Sequence, residues 1–111
     1  MKTKIYSDTI ESFIAEATSP VYICRITRMV GNRIPMREFY IIATAFNREG
    51  RPVEYRVFAG RAFAYDDAAC RNAADRARAL AETIEAKLRE KDLDIRHGAI
   101  SEEPILGEPP D

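Results

Sequence analysis

The chain has 111 residues, of which 46% are apolar and 32% charged, and its formal net charge is -1. This length and composition are typical of one folded domain and exclude a disordered chain. No apolar run approaches the roughly 20 residues that cross a bilayer, and acidic side chains lie where a signal peptide would be apolar, so the sequence predicts a cytoplasmic protein without a membrane partner.

Charge is distributed unevenly along the chain. Residues 20–61 hold eight Arg and three Glu, whereas residues 62–111 hold seven basic and twelve acidic side chains. Arg outnumbers Lys by thirteen to four, which favours planar, bidentate or stacking contacts over diffuse attraction to phosphates. Two interpretations stay open: the two halves neutralise each other within one fold, or the basic half forms a nucleic-acid surface.

The first predicted element is a short helix. Asp8 and Glu11 have the spacing of a capping box, and the apolar residues that follow share one face at helical spacing: Ile10, Phe13, Ile14 and Ala17. Pro20 is expected to end this helix. The segment VYICRITRMV, which begins at Val21, predicts a strand because branched and aromatic residues favour extended backbone.

A loop and a β-hairpin are predicted next. Residues 31–35, GNRIP, form the loop, and Asn47 and Gly50 suit the first and the closing position of the hairpin turn. Pairing positions that sum to 98 places one apolar set on one face: Phe39, Ile41, Ala43 and Ala45 beside Ala59, Val57, Tyr55 and Val53. The other face then carries Tyr40 by Phe58, Ile42 by Arg56, Thr44 by Glu54 and Phe46 by Pro52. A shift of one residue would mix the two sets.

Residues 65–91 predict one long helix. Its apolar side chains form a single stripe: Ala69, Cys70, Ala73, Ala74, Ala77, Leu80, Ala81, Ile84 and Leu88. Asp66 and Asp67 suit its N-terminus, where carboxylates meet unpaired N–H groups. Because a helix of about 25 residues is roughly 37 Å long, its last turns are expected to extend past the sheet edge.

The predicted fold class is α+β in two layers, with the order α-β-β-β-α. A three-stranded antiparallel sheet is covered on one face by a short N-terminal and a long C-terminal helix. Residues 93–96 are compatible with a further short strand. Residues 1–100 are predicted to be a single domain, and residues 101–111, rich in Pro and acidic residues, an extended acidic tail.

Four packing features of this order occur together in a known family. They are PVY at the start of the first long strand, Gly31 in the next loop, Phe39 at the start of the following strand, and the spacing A-xxx-AA-xx-A from Ala69 to Ala77. Over about residues 8–84 the chain thereby resembles the double-stranded-RNA-binding domain. The resemblance implies duplex RNA binding, with Arg33 and either Glu11 or Glu16 as groove contacts. Where the family has a lysine pair, however, this chain has Asp66 and Asp67.

No residue pattern predicts a catalytic, cofactor or metal site. His97 is the single His, and Cys24 and Cys70 lack CxxC spacing and suit buried thiols. The sequence contains no nucleotide loop, GxSxG or HExxH. It therefore predicts a protein without catalysis or cofactors. A small enzyme stays the third interpretation. A pocket that joins Asp66, Asp67 and His97 would support it.

The second sheet face points to the function. It is less polar than a face that meets only water. The predicted interaction surface on it consists of Tyr40, Ile42, Phe46, Arg56 and Phe58. Three occupants stay open, namely a second copy of the chain, its own tail through Ile100, Ile105 and Leu106, or a nucleic acid that stacks on the rings between arginines.

The leading hypothesis is a small non-catalytic interaction or oligomerisation module, which acts as a homo-oligomer or with a protein partner. The alternative is duplex RNA binding through the Arg-rich region, with four candidate contacts: Arg25, Arg28, Arg33 and Arg37.

Overall fold

The computed structural model describes residues 3–97. Within them the chain order is β1 (Ile5–Ser7), α1 (Ile10–Glu16), β2 (Thr18–Val30), β3 (Met36–Phe46), β4 (Pro52–Phe63), α2 (Asp67–Glu90) and β5 (Ile95–His97). The strands form one sheet in the order β1-β4-β3-β2-β5. The three central strands are antiparallel, whereas β1 runs parallel to β4 and β5 parallel to β2. Residues 101–111, the predicted tail, lie outside the described range.

The predicted fold, a three-stranded antiparallel sheet in a chain whose first element is a helix, is wrong. The sheet is five-stranded and mixed, and a strand precedes α1. Each added strand has three residues and pairs with a partner far along the chain, as Ile5 does with Val53 and Ile95 with Val21. Three residues show no clear alternation, and parallel pairing needs no nearby turn. Only the compatibility of residues 93–96 with a strand pointed toward β5.

The predicted pairing of β3 with β4 is confirmed from Tyr40 opposite Phe58 to Phe46 opposite Pro52. Its turn is built as expected: the Asn47 N–H donates to the Arg51 carbonyl at 2.9 Å, and Gly50 has a left-handed φ of 81°. Asn47 Oδ1 also accepts N–H groups of Glu49 and Arg51. A side chain that mimics backbone in this way fixes the turn and, through it, the register.

One predicted pair in this hairpin is wrong. Phe39 lies opposite Gly60 rather than Ala59, because a β-bulge adds one residue to β4. The bulge places a residue without a side chain beneath α2, where a Cβ on Gly60 would lie 3.3 Å from the Ala73 Cβ and 2.6 Å from an Arg76 guanidinium nitrogen. The helix can therefore approach the sheet closely at this point.

The first helix starts one residue later than predicted. Thr9, not Asp8, is the N-cap, and its Oγ1 accepts the Ser12 N–H at 3.0 Å. The helix ends at Glu16 and β2 begins at Thr18, so Pro20 lies inside the strand instead of ending the helix. The pairing of β2 with β3 is irregular at this proline, as expected for a residue that lacks a ladder donor.

Both helices pack on the same side of the sheet, which we call the covered face. Its core joins α1, the strands and the predicted stripe of α2, and its fully buried residues include Phe13, Val21, Ile41, Val53, Ala43, Ala73 and Leu88. At the other end of α2, Asp66 is the N-cap and accepts the Ala69 N–H at 2.9 Å. No helix among residues 3–97 is long and apolar enough to cross a membrane.

The expectation that the last turns of α2 extend past the sheet is also wrong. Leu88 is fully buried, and Ile84 nearly so. The chain turns back directly after the helix, where the Leu93 N–H donates to the Leu88 carbonyl at 3.1 Å. The strand that follows, β5, widens the sheet beneath this part of α2.

Leu88→Ala should therefore lower the free energy of unfolding by about 2 to 5 kcal/mol, because it removes a fully buried side chain and leaves a cavity. The neighbouring Lys87→Ala, on the exposed side of the same turn, should change it by no more than about 0.5 kcal/mol. Urea unfolding of both variants measures the difference. Equal and small effects would show that the end of α2 is not part of the core.

Candidate binding face of the sheet

The side of the sheet away from the helices, here called the open face, is defined by alternation along each strand. Registers across the five strands align its members. The charged ones are Lys4, Arg28, Glu38, Glu54, Arg56, Arg61 and Arg96, and the large apolar or aromatic ones include Tyr6, Tyr22, Ile26, Tyr40, Ile42, Phe46, Phe58 and Phe63. The face thus mixes aromatic rings with Arg and Lys.

One buried carboxylate, that of Glu38, organises the β2 side of this face. Arg28 on β2 and Arg61 on β4 lie opposite it across the two ladders. Their guanidinium groups donate to its two oxygens at 3.0 and 2.9 Å, and the Tyr40 hydroxyl donates to Oε1 at 2.7 Å. Glu38 is 5% exposed, so three strands contribute to neutralising a carboxylate that water scarcely reaches.

Titration of this cluster follows from its contacts. Burial by itself raises the pKa of Glu38, but the hydrogen bonds from Tyr40, Arg28 and Arg61 outweigh it, so the pKa of this carboxyl lies below its usual 4.5. Burial, followed by the hydrogen bond to Glu38, raises the pKa of the Tyr40 phenol above its usual 10.0. Near neutral pH the carboxylate is therefore charged and the phenol is protonated.

A second buried carboxylate, that of Glu54, organises the β4 side of the open face in the same way. Lys4 Nζ lies 2.9 Å from its Oε1, and Arg56 donates to its Oε2 through two nitrogens, each at 3.1 Å. The carboxylate side chain is 3% exposed. Both acids of the open face are thus occupied internally, and each is held by two cations.

Aromatic rings fill the space between these clusters. Tyr40 and Phe58 meet edge to face with centroids 5.5 Å apart. The guanidinium carbons of Arg28 and Arg56 lie 5.5 and 5.9 Å from the Tyr40 centroid, and that of Arg61 lies 5.7 Å from the Phe58 centroid. Cation–π contacts of this length stabilise both partners modestly and keep the guanidinium groups near the rings.

The centre and the rim of the open face differ in exposure. Ile26 and Ile42 are buried with Cys24 and Tyr40 around them. Around this centre, Tyr22, Phe46 and Phe58 remain 42%, 56% and 49% exposed. What the face offers to a partner is consequently a set of separate exposed rings among cations and not a continuous apolar surface.

The net charge of the open face is positive. Among residues 3–97, five cations and two glutamates lie on it, a net of +3. Because both carboxylates are buried and already paired, the charge that a partner meets is mainly that of Arg and Lys.

The structure gathers all members of the predicted interaction surface on the open face: Tyr40, Ile42, Phe46, Arg56 and Phe58. It does not gather the four arginines proposed for duplex RNA. Arg28 lies on the open face, Arg25 and Arg37 lie on the covered side of β2 and β3, and Arg33 lies in the exposed loop between these strands.

Sequence reasoning missed the two buried glutamates and three of the cations, namely Lys4, Arg61 and Arg96. Glu54 had been placed on the correct face by the hairpin register, but Glu38 precedes the predicted pairs. Arg61 could have been assigned to this face only with the bulge known, since the bulge reverses the parity of the residues after Ala59. Lys4 lies beside a strand that was not predicted, and Arg96 lies in β5, for which the sequence showed only that residues 93–96 were compatible with a strand.

The residues named for an enzyme do not come together. Asp66 is the N-cap of α2, whereas His97 lies beside Glu85, five helical turns further along, with 2.9 Å between His97 Nε2 and the carboxylate. In the part of the chain that the structure describes, no group of three or more His, Cys, Asp or Glu is arranged to hold a metal ion. Cys24 and Cys70 are partly buried thiols.

Comparison of the chain with protein-family models, curated proteins and solved structures gives no match. Its function is therefore inferred from the surfaces themselves.

The pKa shift of Glu38 predicts how stability depends on pH. Glu38→Gln should lower the free energy of unfolding near pH 7 by about 1 to 3 kcal/mol, because two arginines lose a charged acceptor. The folded-state pKa is below 4.5, so the stabilisation by the charged carboxylate is present above that value and lost as pH falls through the folded-state pKa. The gap between wild type and variant should then narrow below about pH 4.5.

Unfolding curves at several pH values measure this gap. Glu82→Gln, an exposed acid on α2, is the matched control and should show a small difference throughout. A gap of unchanged size from neutral to acidic pH would contradict the assignment.

Proposed function

We propose that the chain is a small non-catalytic binding module and that its open face holds a single strand of nucleic acid. One observation carries the proposal: exposed rings on neighbouring strands lie among cations, while both acids of the face are buried and paired. Bases stack on such rings, and Arg and Lys contact the phosphates.

The charge of the face favours an anionic partner over a second copy of itself. Two open faces brought together would each present a net charge of +3. Among residues 3–97, neither face could offer a free carboxylate, since Glu38 and Glu54 already hold two cations each. Like charges across an interface disfavour association. A nucleic acid supplies both the negative charge and the planar rings.

A single strand fits better than the duplex RNA that the family resemblance implies. Duplex recognition uses cations spaced across two grooves, but the four arginines that were candidates for it lie on different sides of the sheet and in a loop. At the N-terminus of α2, Asp66 and Asp67 would repel phosphate. The exposed rings, by contrast, share one face.

Removal of one ring tests the proposal. Phe58→Ala should weaken binding of a fluorescent oligo(U) or oligo(dT) of about 12 nucleotides by roughly 5- to 150-fold, the equivalent of one stacked base at about 1 to 3 kcal/mol. The control Tyr65→Ala removes an exposed ring from the segment after β4 and should leave the affinity unchanged. Fluorescence anisotropy gives both dissociation constants. If neither oligonucleotide binds at low salt, the proposal is wrong.

The phosphate contacts have a separate signature. Arg96→Gln removes one exposed cation from the edge of the open face and should reduce the slope of log affinity against log salt by about 0.7. Arg71→Gln, on the exposed side of α2, changes the net charge equally and should leave that slope as it is. Equal effects would indicate attraction to the protein as a whole rather than binding at the face.

A second candidate function is self-association, and a different surface favours it. Met29, Ile34, Phe63 and Tyr65 are each more than half exposed and lie where β2 ends, β3 begins and β4 ends. The Ala64 N–H donates to the Pro35 carbonyl at 3.0 Å, which holds these segments together. We call this surface the apolar end. Met29 lies on the covered side and Phe63 on the open side of the sheet, so apolar groups are exposed around the whole of this end, as is typical of protein contacts.

If a second copy covers the apolar end, Ile34→Ser with Phe63→Ser should convert a dimer into a monomer in sedimentation velocity. Phe46→Ser, which removes an exposed ring from the opposite end of the sheet, should leave the dimer intact. A wild-type monomer at about 0.1 mM would limit association to weaker than about -5.5 kcal/mol and would remove this candidate.

A further inference from the structure

A groove lies between β4 and one flank of α2, in the half of the sheet opposite β5. Its volume is about 380 Å³. Both elements contribute to its wall: Phe58 and Ala59 of β4, and Arg76, Ala79, Leu80 and Thr83 of α2. Because Phe58 is also one of the exposed rings of the open face, the groove adjoins the surface to which nucleic acid binding is assigned above.

Arg76 supplies the charge of this groove. Its Nε–H donates to the Ala59 carbonyl at 3.4 Å, and a Cβ on Gly60 would lie only 2.6 Å from one of its terminal nitrogens. The missing side chain at Gly60 thus lets the exposed guanidinium lie directly against β4. Among residues 3–97 no carboxylate pairs with Arg76, so its terminal nitrogens are available to an anionic ligand.

The flank of α2 that borders the groove favours an anion. Residues three or four apart lie side by side on a helix, and those that share this flank with Arg76 are Leu80, Thr83 and Lys87. The acids of the same turns lie elsewhere. Glu82 and Glu85 line a cavity beside β2, and Asp75 is paired with Arg78 at 2.9 Å. An anion in the groove is therefore next to a cation and away from these acids.

Two cations of the open face near Phe58 are less available than Arg76. Arg56 and Arg61 are paired with the buried carboxylates of Glu54 and Glu38, at 3.1 and 2.9 Å. A phosphate that binds either of them has to share the guanidinium with a carboxylate. At Arg76 the phosphate would meet the full charge of the side chain, with two terminal nitrogens in a geometry that suits its oxygens.

We propose that Arg76 is a phosphate subsite for the single strand of nucleic acid, an inference that rests on the proposed function. A base stacked on Phe58 brings the adjoining phosphates of its strand to the β4 edge, where Arg76 lies. The strand then leaves the open face over β4 and enters the groove beside α2. Phosphate contacts of this kind fix the path of a strand without reading its sequence.

The salt dependence of oligonucleotide binding tests the subsite. With oligo(U) of about 12 nucleotides, Arg76→Gln should reduce the slope of log affinity against log salt by about 0.7, the value for one phosphate of a single strand. Arg71→Gln, an exposed position on another side of α2, removes the same charge and should leave the slope unchanged. Arg76→Lys keeps the charge and should keep the slope, although it loses the bond from Nε to the Ala59 carbonyl.

Urea unfolding of the same variants separates binding from a structural role. If Arg76 served only to hold the edge of β4, Arg76→Gln and Arg76→Lys would lower stability alike and leave the salt slope as it is. That result would overturn the subsite.

A double-mutant cycle places the phosphate next to the stacked base. The loss of affinity caused by Arg76→Gln should be at least about twofold smaller in the Phe58→Ala background, because one stretch of strand contacts both residues. Arg96→Gln, at the far edge of the sheet, should be closer to additive with Phe58→Ala. Additive effects of Arg76→Gln and Phe58→Ala would contradict the proposed path.

The outcomes distinguish this inference from the proposed function. Equal slopes for Arg76→Gln and Arg71→Gln, with binding that still depends on Phe58, would overturn the subsite and leave the proposed function in place. Absence of oligonucleotide binding by the wild type would overturn both. Polyglutamate that binds as tightly as oligo(U), and depends on Arg76 but not on Phe58, would also overturn the subsite, because the groove would then hold an acidic peptide.

Discussion

The pairing of β3 with β4 divides the side chains of the sheet between two faces that cannot be exchanged. With Tyr40 opposite Phe58, the neighbours Ile41 and Val57 must point to the helices. A register one residue away would place charged Glu54 against the helices, where a carboxylate without partners costs several kcal/mol. The turn at Asn47 holds the pairing locally, and burial of the apolar set holds it across the whole sheet.

The same division explains why the open face is basic although the protein as a whole is not. Glu38 and Glu54 lie on central strands, where their neighbours limit access to water, and each is stable only because cations from adjacent strands reach it. These cations also lie over aromatic rings. The acids are therefore part of the scaffold that positions the Arg and Lys side chains, and the excess of positive charge remains at the surface.

Local patterns in the sequence predict the hairpin and α2 well, because alternation and helical periodicity are repeated over many residues. The stripe from Ala73 to Leu88 is the buried side of the helix, and the hairpin register is correct wherever the bulge does not intervene. The pairing of the two edge strands could not be predicted, and only residues 93–96 were compatible with a strand, since three residues such as Ile5–Ser7 carry too little pattern and their partners are distant. Likewise, nothing near Glu38 in sequence indicates that Arg61 will reach it.

The last turns of α2 show that apolar surface for which the sequence indicates no partner can be covered by the chain itself. The sequence indicates a helix longer than the sheet, but its last turns are covered by the chain's own β5 and not by a partner. On the open face, arginines likewise cover part of Tyr40 and Phe58.

A partner has to be invoked only for the side chains that stay exposed after such internal contacts. Those are the rim rings and the apolar end, and they differ in kind: separate rings among cations suit a charged chain with planar groups, whereas apolar side chains without cations suit a folded protein surface.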